Sequence, residues 1–319
     1  MARLDELRLM AKVARMYYVQ GIRQQGITDR LLIHQSSVSR LLKRAREANL
    51  VRISVSSPPG IFAEMEDQLV AQFQLKDAAV VDCPVEEEPM VRDPGAAAAY
   101  FLETTVKHGT TIGISSWSRS LFAMVEALHP GDYCRGGKVV QILGGLGQVG
   151  VQHHAIYLAQ RLAALIGASA VLLQAPGVVG SAEARRVLVR DASVRMVSEL
   201  FKHLDLALVG IGSMEPSRLS ASSGNVFSPE ERAELSRRGA VGDICFRFFD
   251  ARGQPVRSPL MQRVIGIDTA SLKRVKRVVA VAGGRSKAQA IRAALLGRWI
   301  DVLITDQRTA ASLLAGANE

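Results

Sequence analysis

Apolar residues in the first fifty positions recur every three or four residues, which is the period of an amphipathic helix. The pattern predicts three helices, over residues 4–19, 23–31 and 35–48. Gly21 is suited to the left-handed conformation that ends a helix, and a break at residues 32–34 separates the second helix from the third. Three short helices in this order are typical of a helix-turn-helix unit.

The third predicted helix has an apolar face and a polar beginning. Val38, Leu41 and Leu42 would face inward, which leaves polar side chains exposed near the first turns. A helix in this position enters the major groove of DNA, where Gln can bond adenine and Arg can bond guanine through two hydrogen bonds. Basic residues farther along the helix suit phosphate contacts, which fix register but carry no sequence information. The predicted DNA contacts are Gln35, Ser36, Ser37, Ser39, Arg40, Lys43 and Arg44.

Turn-forming residues separate this segment from the rest of the chain. Asn49 is placed to cap the third helix, and residues 50–55 alternate like a strand that would serve as a wing or linker. The run Ser56-Ser57-Pro58-Pro59-Gly60 predicts a linker. We therefore expect a helix-turn-helix domain over 1–55, a linker over 56–60 and a second domain over 61–319.

Beyond residue 61, short apolar runs alternate with helical stretches. The runs are apolar on both faces, as in a buried parallel sheet, and the alternation of strands and helices predicts a layered α/β domain. In such sheets, ligands bind at the carboxyl ends of the strands. The predicted strands are Ala78–Asp82, Thr111–Ser115, Lys138–Leu143, Ala170–Gln174, Leu206–Ile211, Val278–Ala282 and Asp301–Thr305. The predicted helices between them include Pro94–Lys107, Gln152–Ile166, Ala192–His203 and Lys287–Leu296.

Four of the predicted strands end in segments rich in glycine or serine. In Gly113–Ser120 a strand runs into a helix, so hydroxyls and backbone N–H groups at the helix start form a candidate anion site. In Val281–Lys287 two glycines precede a lysine at a first helical turn, which suits a phosphate. This segment lacks the GxxxxGK[ST] spacing of a nucleoside-triphosphate loop. The segments Gln141–Gly147 and Val209–Ser213 are weaker signals.

Several candidate binding residues also have a plain structural explanation. The serines after Gly113 could cap a helix without any ligand. Asp243, which follows a glycine, either accepts hydrogen bonds from sugar hydroxyls or caps a turn. His153 and His154 diverge by about 100° on a helix and are unsuited to sharing a metal ion, so we interpret them as structural or surface residues.

Positive charge is concentrated at the amino-terminal end. The 319-residue chain carries a formal net charge of +10. Residues 1–52 hold eleven basic and four acidic side chains, so the predicted helix-turn-helix segment carries +7. Such a field attracts a polyanion, of which DNA is the obvious one. The alternative is a solvated basic face on a three-helix unit that makes no DNA contact.

Composition excludes several classes of protein. Hydrophobic residues make up 48% and charged residues 22% of the chain, which argues against disorder, and no apolar run approaches the ~20 residues of a membrane span. The amino-terminal residues carry charges throughout and lack the apolar core of a signal peptide, so we expect a cytoplasmic protein. Cys83, Cys134 and Cys245 are far apart, which suggests neither disulfides nor a metal site. We expect no cofactor and no metal ion.

The amino-terminal segment resembles the helix-turn-helix of the SorC-type (SorC/DeoR-like) sugar-binding transcriptional regulators. The resemblance is carried by the stretch VARMYYVQGIRQQGITDRLLIHQSSVSRLLKRAREANLVRI. Within it, Ser36–Leu42 matches the recognition-helix motif of that family. The chain departs from the family pattern at two positions. Leu32 stands where the family usually has Gly, and His34 stands where it usually has a Ser N-cap.

The second domain resembles the effector-binding domain of the same family, which is similar in fold to glucosamine-6-phosphate deaminase and ribose-5-phosphate isomerase. The resemblance is carried by TIGISSWSRSL, VVQILGG, LALVGIGSM, GAVGDICFRFFDARG and VVAVAGGRSKAQAIRAALLGRWIDVLITDQRTAASLL. It implies a Rossmann-like α/β effector domain with a phosphosugar site at the strand ends. It also implies assembly into dimers or tetramers through that domain.

The resemblance also implies site residues. Ser115, Ser116 and Ser118 occupy the family's phosphate loop, although Ser118 stands where many relatives have Gly. Lys287 lies in the family's glycine-glycine-lysine segment, and Asp243 and Gln141 would face the sugar. The predicted effector contacts are Ser115, Ser116, Ser118, Gln141, Gly144, Gly145, Asp243, Gly283, Gly284 and Lys287.

Together these observations predict a DNA-binding transcriptional regulator that is controlled by a small phosphorylated sugar or related metabolite. The main alternative is a sugar-phosphate isomerase or deaminase with an appended basic head. That chemistry needs a positioned general base and a second acid or base; Asp243 is a candidate base, but the sequence shows no clear catalytic pair. An architectural DNA-binding protein would leave the large second domain without a role. A non-phosphorylated polyol and a phosphorylated signalling molecule stay open as effectors.

Overall fold

The computed structural model describes residues 2–48, 50–51, 60–83, 89–145, 152–215 and 227–316. The chain divides into two compact units, Met1–Pro58 and Pro59–Glu319. The predicted cap Asn49 lies outside the described residues, as does most of the strand predicted over 50–55 and of the linker predicted over 56–60.

The first unit is a three-helix bundle. Helix α1 (Ala2–Ala14) continues as a π-helical segment (Arg15–Val19), and α2 (Gln24–Leu31) and α3 (Gln35–Glu47) follow. The chain leaves the π-helical segment through Gly21, whose φ is +66°. The three predicted helices are thus confirmed within a few residues at each end. Their apolar faces form one core, which buries Met10, Val13, Ala14, Met16, Ile27, Val38, Leu41, Leu42 and Ala45.

The turn between α2 and α3 forms without the glycine or the capping serine that the family pattern favours. Leu32 takes the left-handed conformation with φ 54°, and its side chain is 91% exposed. A left-handed residue with a Cβ costs about 1–2 kcal/mol. His34 makes no side-chain capping bond, and its backbone carbonyl accepts from the N–H groups of Ser37 and Val38 instead. The core of the unit therefore imposes this turn against local preference.

The second unit is built on a seven-stranded parallel sheet. Its neighbours run in the order β1-β10-β9-β5-β2-β3-β4, and every pairing within it is parallel. A separate three-stranded antiparallel sheet has the order β6-β7-β8. The strands are β1 (Asp77–Val81), β2 (Thr111–Ile114), β3 (Lys138–Gln141), β4 (Ser169–Val171), β5 (Leu206–Val209), β6 (Gly212–Ser213), β7 (Ala240–Ile244), β8 (Arg247–Asp250), β9 (Arg277–Val281) and β10 (Val302–Asp306).

Helices cover both faces of the parallel sheet, because successive residues of each buried strand point to opposite sides. In β5, Leu206 and Leu208 belong to one hydrophobic cluster, whereas Ala207 and Val209 belong to the other. The α-helices of this unit are α4 (Ala63–Phe73), α5 (Pro89–Thr105), α6 (Arg119–Ala127), α7 (Gln152–Ile166), α8 (Ala182–Leu188), α9 (Ala192–Leu200), α10 (Pro229–Arg237), α11 (Thr269–Leu272), α12 (Ala288–Leu296) and α13 (Gln307–Ala315). The fold is therefore the predicted α/β class, with three layers.

All seven predicted strands are confirmed, and together they make up the parallel sheet. The predicted helix over Gln152–Ile166 has those bounds in the structure. The helix predicted from Pro94 begins earlier, at Pro89, so that Pro94 lies inside it. The helix predicted over Ala192–His203 is α-helical to Leu200 and closes in a 3-10 turn.

The antiparallel sheet was not anticipated by the hydrophobic pattern. The hairpin between β7 and β8 turns through Cys245 and Phe246, whose φ values are +53° and +57°. A two-residue turn with both residues left-handed is usually signalled by Asn-Gly or a similar pair. Here the Asp243 carboxylate supports the turn by accepting from the Phe246 N–H at 2.9 Å.

Candidate functional site

The four predicted loop segments follow strands that are neighbours in the sheet. Strands β9, β5, β2 and β3 lie side by side, so their carboxyl ends form one continuous edge. The chain runs from β2 outward through β3 and β4, then returns to β5 and runs the other way through β9 and β10. The order of strands therefore reverses between β2 and β5. Ligands of doubly wound sheets bind at such a switch point.

The serine segment after β2 lies at this point. Ser115 is buried; its N–H donates to the Leu208 carbonyl at 3.0 Å, and its hydroxyl accepts from the Gly210 N–H at 3.4 Å. Ser118 is the N-cap of α6 and accepts from the Leu121 N–H at 3.3 Å. The capping alternative considered above is therefore present in the structure. Such a cap is compatible with anion binding, since the first turn of a helix leaves N–H groups without intrahelical acceptors.

The loop after β5 lies between two of the predicted contacts. A Cβ on Gly210 would lie 2.6 Å from the Ser118 hydroxyl, and a Cβ on Gly212 would overlap the Asp243 carboxylate. A side chain at either position would therefore displace the Ser118 hydroxyl or the Asp243 carboxylate. Through this loop, the α6 end of the site and the antiparallel sheet are brought next to each other.

Gln141 takes a different place from the one expected. It is 1% exposed; its amide N–H donates to the Ser116 hydroxyl at 3.1 Å, and its amide oxygen accepts from the Leu173 N–H at 3.3 Å. The Ser116 hydroxyl in turn donates to the Leu143 carbonyl at 2.9 Å. The expectation that Gln141 faces the sugar is corrected accordingly, because both ends of its amide are bonded inside the protein. Gln141 and Ser116 instead brace the loops that follow β2 and β3.

The glycines after β3 pack against protein rather than open space. A Cβ on Gly144 would overlap the Pro176 carbonyl, and a Cβ on Gly145 would overlap the Gln141 amide. The Gly144 N–H donates to the Ile265 carbonyl at 3.0 Å. These two residues thus form a wall of the strand-end edge, tied to the Gln141 brace behind it.

The glycine-glycine-lysine segment forms a tight turn after β9. Gly284 has φ +97°, and its carbonyl accepts from the Lys287 N–H at 2.9 Å. The Gly284 N–H is itself bonded to Asp306 and Thr309. Neither Asp306 nor Thr309 was among the residues that the sequence pattern singled out. Their signal, an Asp three residues before a Thr at a predicted strand end, is also that of an ordinary helix N-cap.

The charged groups of the site influence one another. Burial raises the pKa of Asp243 to about 6, against the opposing effects of the Phe246 N–H and the Lys287 charge. Burial lowers the pKa of Lys287, and the nearby Arg119 charge lowers it further, while Asp243 opposes both. Asp243 and Lys287 do not form an ion pair within 4.0 Å. One carboxylate and two cations at a strand-end edge suit a small ligand that carries both an anionic group and hydroxyls.

The predicted DNA-contact residues lie on the solvent side of α3. Gln35, Ser36, Ser39, Arg40 and Lys43 are exposed, and Ser37 is half-buried. Arg44 forms an ion pair with Glu6 of α1, and Lys43 lies 3.8 Å from Glu47. The opposite face of the helix packs into the core of the unit. The structure thus presents the beginning of α3 to solvent, as a recognition helix requires.

A cleft at the opposite, amino-terminal edge of the parallel sheet carries less chemistry. It is lined in part by Lys76, Asp205, Lys276 and Arg277. Two of its lysines are paired, Lys76 with Asp301 at 2.9 Å and Lys276 with Asp205 at 2.7 Å. We assign the site to the carboxyl edge, because the cleft lies away from the strand ends at which ligands of such sheets bind.

The part of the chain that the structure describes holds neither a candidate membrane span nor a metal-binding cluster. It contains no helix that is long and apolar enough to cross a membrane. Within the same residues, no three His, Cys, Asp or Glu side chains are grouped so as to hold a metal ion.

A helix-turn-helix unit joined to a doubly wound α/β unit with a charged site at its switch point defines the class of ligand-responsive transcriptional regulators. The Sugar-bind family model, which describes a sugar-binding domain, matches residues 57–315. The chain belongs to this family, that of the SorC-type sugar-binding transcriptional regulators.

Known relatives extend over nearly the whole chain. The chain is 32% identical to the deoxyribonucleoside regulator of Bacillus subtilis over 311 residues, which are 97% of this chain and 98% of that protein. It is 32% identical to the sorbitol operon regulator of Klebsiella pneumoniae over 313 residues, with the same coverage.

Solved structures show the same fold. The crystal structure of full-length SorC from Klebsiella pneumoniae matches with a TM-score of 0.73 and 32% identity, over 97% of this chain and 99% of that one. The sugar-binding domain of a DeoR regulator from Pseudomonas syringae pv. tomato matches with a TM-score of 0.63 and 38% identity, over 80% of this chain and 99% of that one. The chain is a transcriptional regulator of this family.

Proposed function

We propose that this regulator binds operator DNA through its helix-turn-helix unit and responds to a phosphorylated sugar or related metabolite at the carboxyl edge of its parallel sheet. The observation that carries the proposal is the convergence of four glycine- and serine-rich loops on one switch point, with Lys287 and Asp243 beside it. The relatives add support, since two of them are named regulators of a sorbitol operon and of deoxyribonucleosides.

In this proposal the residues of the effector site divide the ligand between them. The Lys287 ammonium, together with the Ser118 end of α6, takes the anionic group. The Asp243 carboxylate accepts hydrogen bonds from hydroxyls. Gly144 and Gly145 shape the wall, while Ser115, Ser116 and Gln141 hold the loops in place.

On the DNA side, Gln35, Ser36, Ser37, Ser39 and Arg40 reach base edges, and Lys43 and Arg44 reach phosphates. Arg44 must exchange its Glu6 partner for a phosphate to do so. The protein acts in the cytoplasm as a dimer or tetramer and catalyses no reaction on its effector. Turnover of glucosamine 6-phosphate or ribose 5-phosphate by the purified protein would contradict that last point.

The test is thermal stability of the purified protein against a panel of sugar phosphates and the corresponding free sugars. A ligand at 100 times its dissociation constant adds about 2.7 kcal/mol to the free energy of unfolding. We expect stabilisation by phosphorylated compounds only, and its loss in Lys287→Ala. Lys202→Ala is the control, because Lys202 lies on the surface and pairs only with its neighbour Glu199.

Two outcomes would contradict the proposal in different ways. Stabilisation by free sugars alone would place the anion-binding assignment in error while leaving a sugar-responsive regulator. A full response in Lys287→Ala would show that the anionic group is bound elsewhere.

A further inference from the structure

Asp306 is a buried carboxylate at the carboxyl end of β10, next to the candidate site. It is 1% exposed and is the N-cap of α13, where it accepts from the Thr309 N–H at 2.9 Å. Its other oxygen accepts from the Thr309 hydroxyl at 2.6 Å and from the Gly284 N–H at 2.9 Å. The Thr309 hydroxyl also lies 2.9 Å from the Gly284 N–H. One carboxylate and one hydroxyl thus hold a single backbone amide.

This arrangement explains both glycines of the glycine-glycine-lysine segment. A Cβ on Gly283 would overlap the Asp306 carboxylate, and Gly284 has φ +97°, which side chains rarely allow. The glycines are therefore required by the Asp306 carboxylate and by the turn. The sequence suggested instead that their amides cradle an anion, but the Gly284 N–H is already bonded to two interior acceptors.

A backbone hydrogen bond connects Gly284 to Lys287. The Gly284 carbonyl accepts from the Lys287 N–H, which closes a 3-10 turn over Arg285–Lys287 before α12 begins. A shift of Gly284 would therefore move the backbone that carries Lys287. Burial makes the charged form of Lys287 costly, so its ammonium depends on a fixed place near Asp243.

We propose that Asp306 and Thr309 are positioning residues of the effector site, which fix Gly284 so that the Lys287 ammonium meets the anionic group of the ligand. The inference rests on the proposed function and refines it. The anion is bound by Lys287, while the Gly284 N–H stays bonded to Asp306 and Thr309 in both the free and the bound state.

The experiment measures binding of inorganic phosphate to the full-length protein by calorimetry, in the wild type and in three variants. Asp306→Asn places an amide NH2 group against either the Gly284 N–H or the Thr309 N–H, which disrupts the arrangement in both cases, and we expect phosphate affinity to fall about tenfold or more. Thr309→Val, the milder change, is expected to lower it by a smaller factor. Thr305→Val is the matched control: Thr305 is the buried neighbour of Asp306, and its hydroxyl has no hydrogen-bond partner in the described part of the chain.

Two readouts separate positioning from a general loss of structure. In a Lys287→Ala background, Asp306→Asn should have little further effect on phosphate affinity, because both changes act on the same contact. Amide hydrogen exchange at Gly284 should be slow in the wild type with or without phosphate, and faster in Asp306→Asn and Thr309→Val.

The outcomes that overturn the inference are distinct from those that overturn the proposed function. Unchanged phosphate affinity in both Asp306→Asn and Thr309→Val refutes the positioning role alone. So does protection of Gly284 that appears only when phosphate is added, since that is the behaviour of a ligand-binding amide. A wild type that binds no phosphate and no sugar phosphate refutes the proposed function, and the positioning role with it.

Discussion

Asp243 and Lys287 carry opposite charges in an environment that favours the neutral form of each. Burial raises the pKa of Asp243 to about 6 and lowers the pKa of Lys287. A direct ion pair does not relieve this, because the two groups are farther apart than 4.0 Å. Shifted pKa values of this kind are characteristic of sites that bind ligands or carry out chemistry. The same two residues should therefore make the free protein less stable and the bound protein more stable.

We expect Asp243→Asn to change how stability depends on pH. Because the folded-state pKa of Asp243 is about 6 and its ordinary value is 3.8, the folded protein binds this proton more tightly than the unfolded chain. Its contribution to stability is full below about pH 4 and is lost as the pH rises to about 6. The Asn variant lacks this loss, so it should exceed the wild type by about 1–3 kcal/mol above pH 6.

Denaturant unfolding at pH 4.5 and pH 7.5 measures this difference. Asp268→Asn is a suitable control, because the Asp268 carboxylate also accepts from a backbone N–H, that of Ser271, and lies outside the proposed effector contacts. An equal gain at both pH values for Asp243→Asn would show that burial of its charge is not the cause. The variant should also bind the effector more weakly. Its amide NH2 group, a donor, replaces one of the two carboxylate oxygens that accept hydrogen bonds from the effector hydroxyls.

Among the elements, α3 has two faces with clearly different roles. Its inner face packs on α1 and α2 and its outer face carries exposed polar residues from Gln35 to Lys43. The turn before it holds Leu32 in the left-handed conformation, and the apolar faces of the helices on either side of the turn share one core. The sequence predicted the bounds of this helix and its exposed face, since both follow from local periodicity.

Arg40→Ala should reduce discrimination between correct and altered DNA sites and leave the fold intact. Arg40 is exposed on the solvent side of α3, so its loss creates no cavity. A base contact of this kind accounts for about 1–3 kcal/mol of discrimination between correct and altered sites. Footprinting on a fragment selected by the wild-type protein, against a scrambled fragment, measures the effect.

Lys43→Ala provides the comparison for Arg40→Ala. Loss of a phosphate contact weakens binding to both DNA fragments about equally. It also reduces the slope of log affinity against log salt concentration by about one unit. If Arg40→Ala behaved in the same way as Lys43→Ala, Arg40 would be a phosphate contact rather than a base contact.

The antiparallel hairpin of β7 and β8 was not predicted from the sequence. The segment around Asp243 was identified as a candidate contact, but its strands were not predicted, because the turn that joins β7 to β8 lacks a glycine or asparagine. Such a turn holds only when surrounding packing supports it. Phe246 lies edge-on against Phe227, with ring centroids 6.2 Å apart, and this contact is remote in the chain.

For the molecule as a whole, each of the two units has its own hydrophobic core. The core of unit 1–58 contains residues of its three helices, and the clusters of unit 59–319 surround the parallel sheet. We expect a protein that comprises residues 59–319 to fold and to keep the full stabilisation by effector seen in the thermal experiment. Loss of that response on removal of the first unit would mean that the effector site is incomplete without it.

Coupling between the units needs an effector that binds two states of the protein unequally. In a dimer, two recognition helices would contact half-sites about 34 Å apart or at multiples of that distance. Measurement of operator affinity with and without the stabilising ligand gives the coupling, and Lys287→Ala should abolish it.

The sequence by itself predicted the seven strands of the parallel sheet, the three helices of the first unit and the class of the protein. Apolar periodicity distinguishes helix from buried strand, and a charge of +7 on the first 52 residues marks the segment proposed to bind DNA. These properties are local, so a single sequence carries them in full. The glycine- and serine-rich strand ends are local as well, which is why the loops of the site were recognisable.

Only the tertiary structure decided how those loops combine. Nothing in the pattern of a buried strand states its neighbours, so the order that places β9, β5, β2 and β3 side by side follows from packing of the whole sheet. The Gln141 side chain lies inside the protein because its amide forms hydrogen bonds with the Ser116 hydroxyl and the Leu173 N–H. Gly284 and Asp306 stand 22 residues apart, and they meet because β9 and β10 pair in register. Contacts between distant residues depend on that register, which no local pattern encodes.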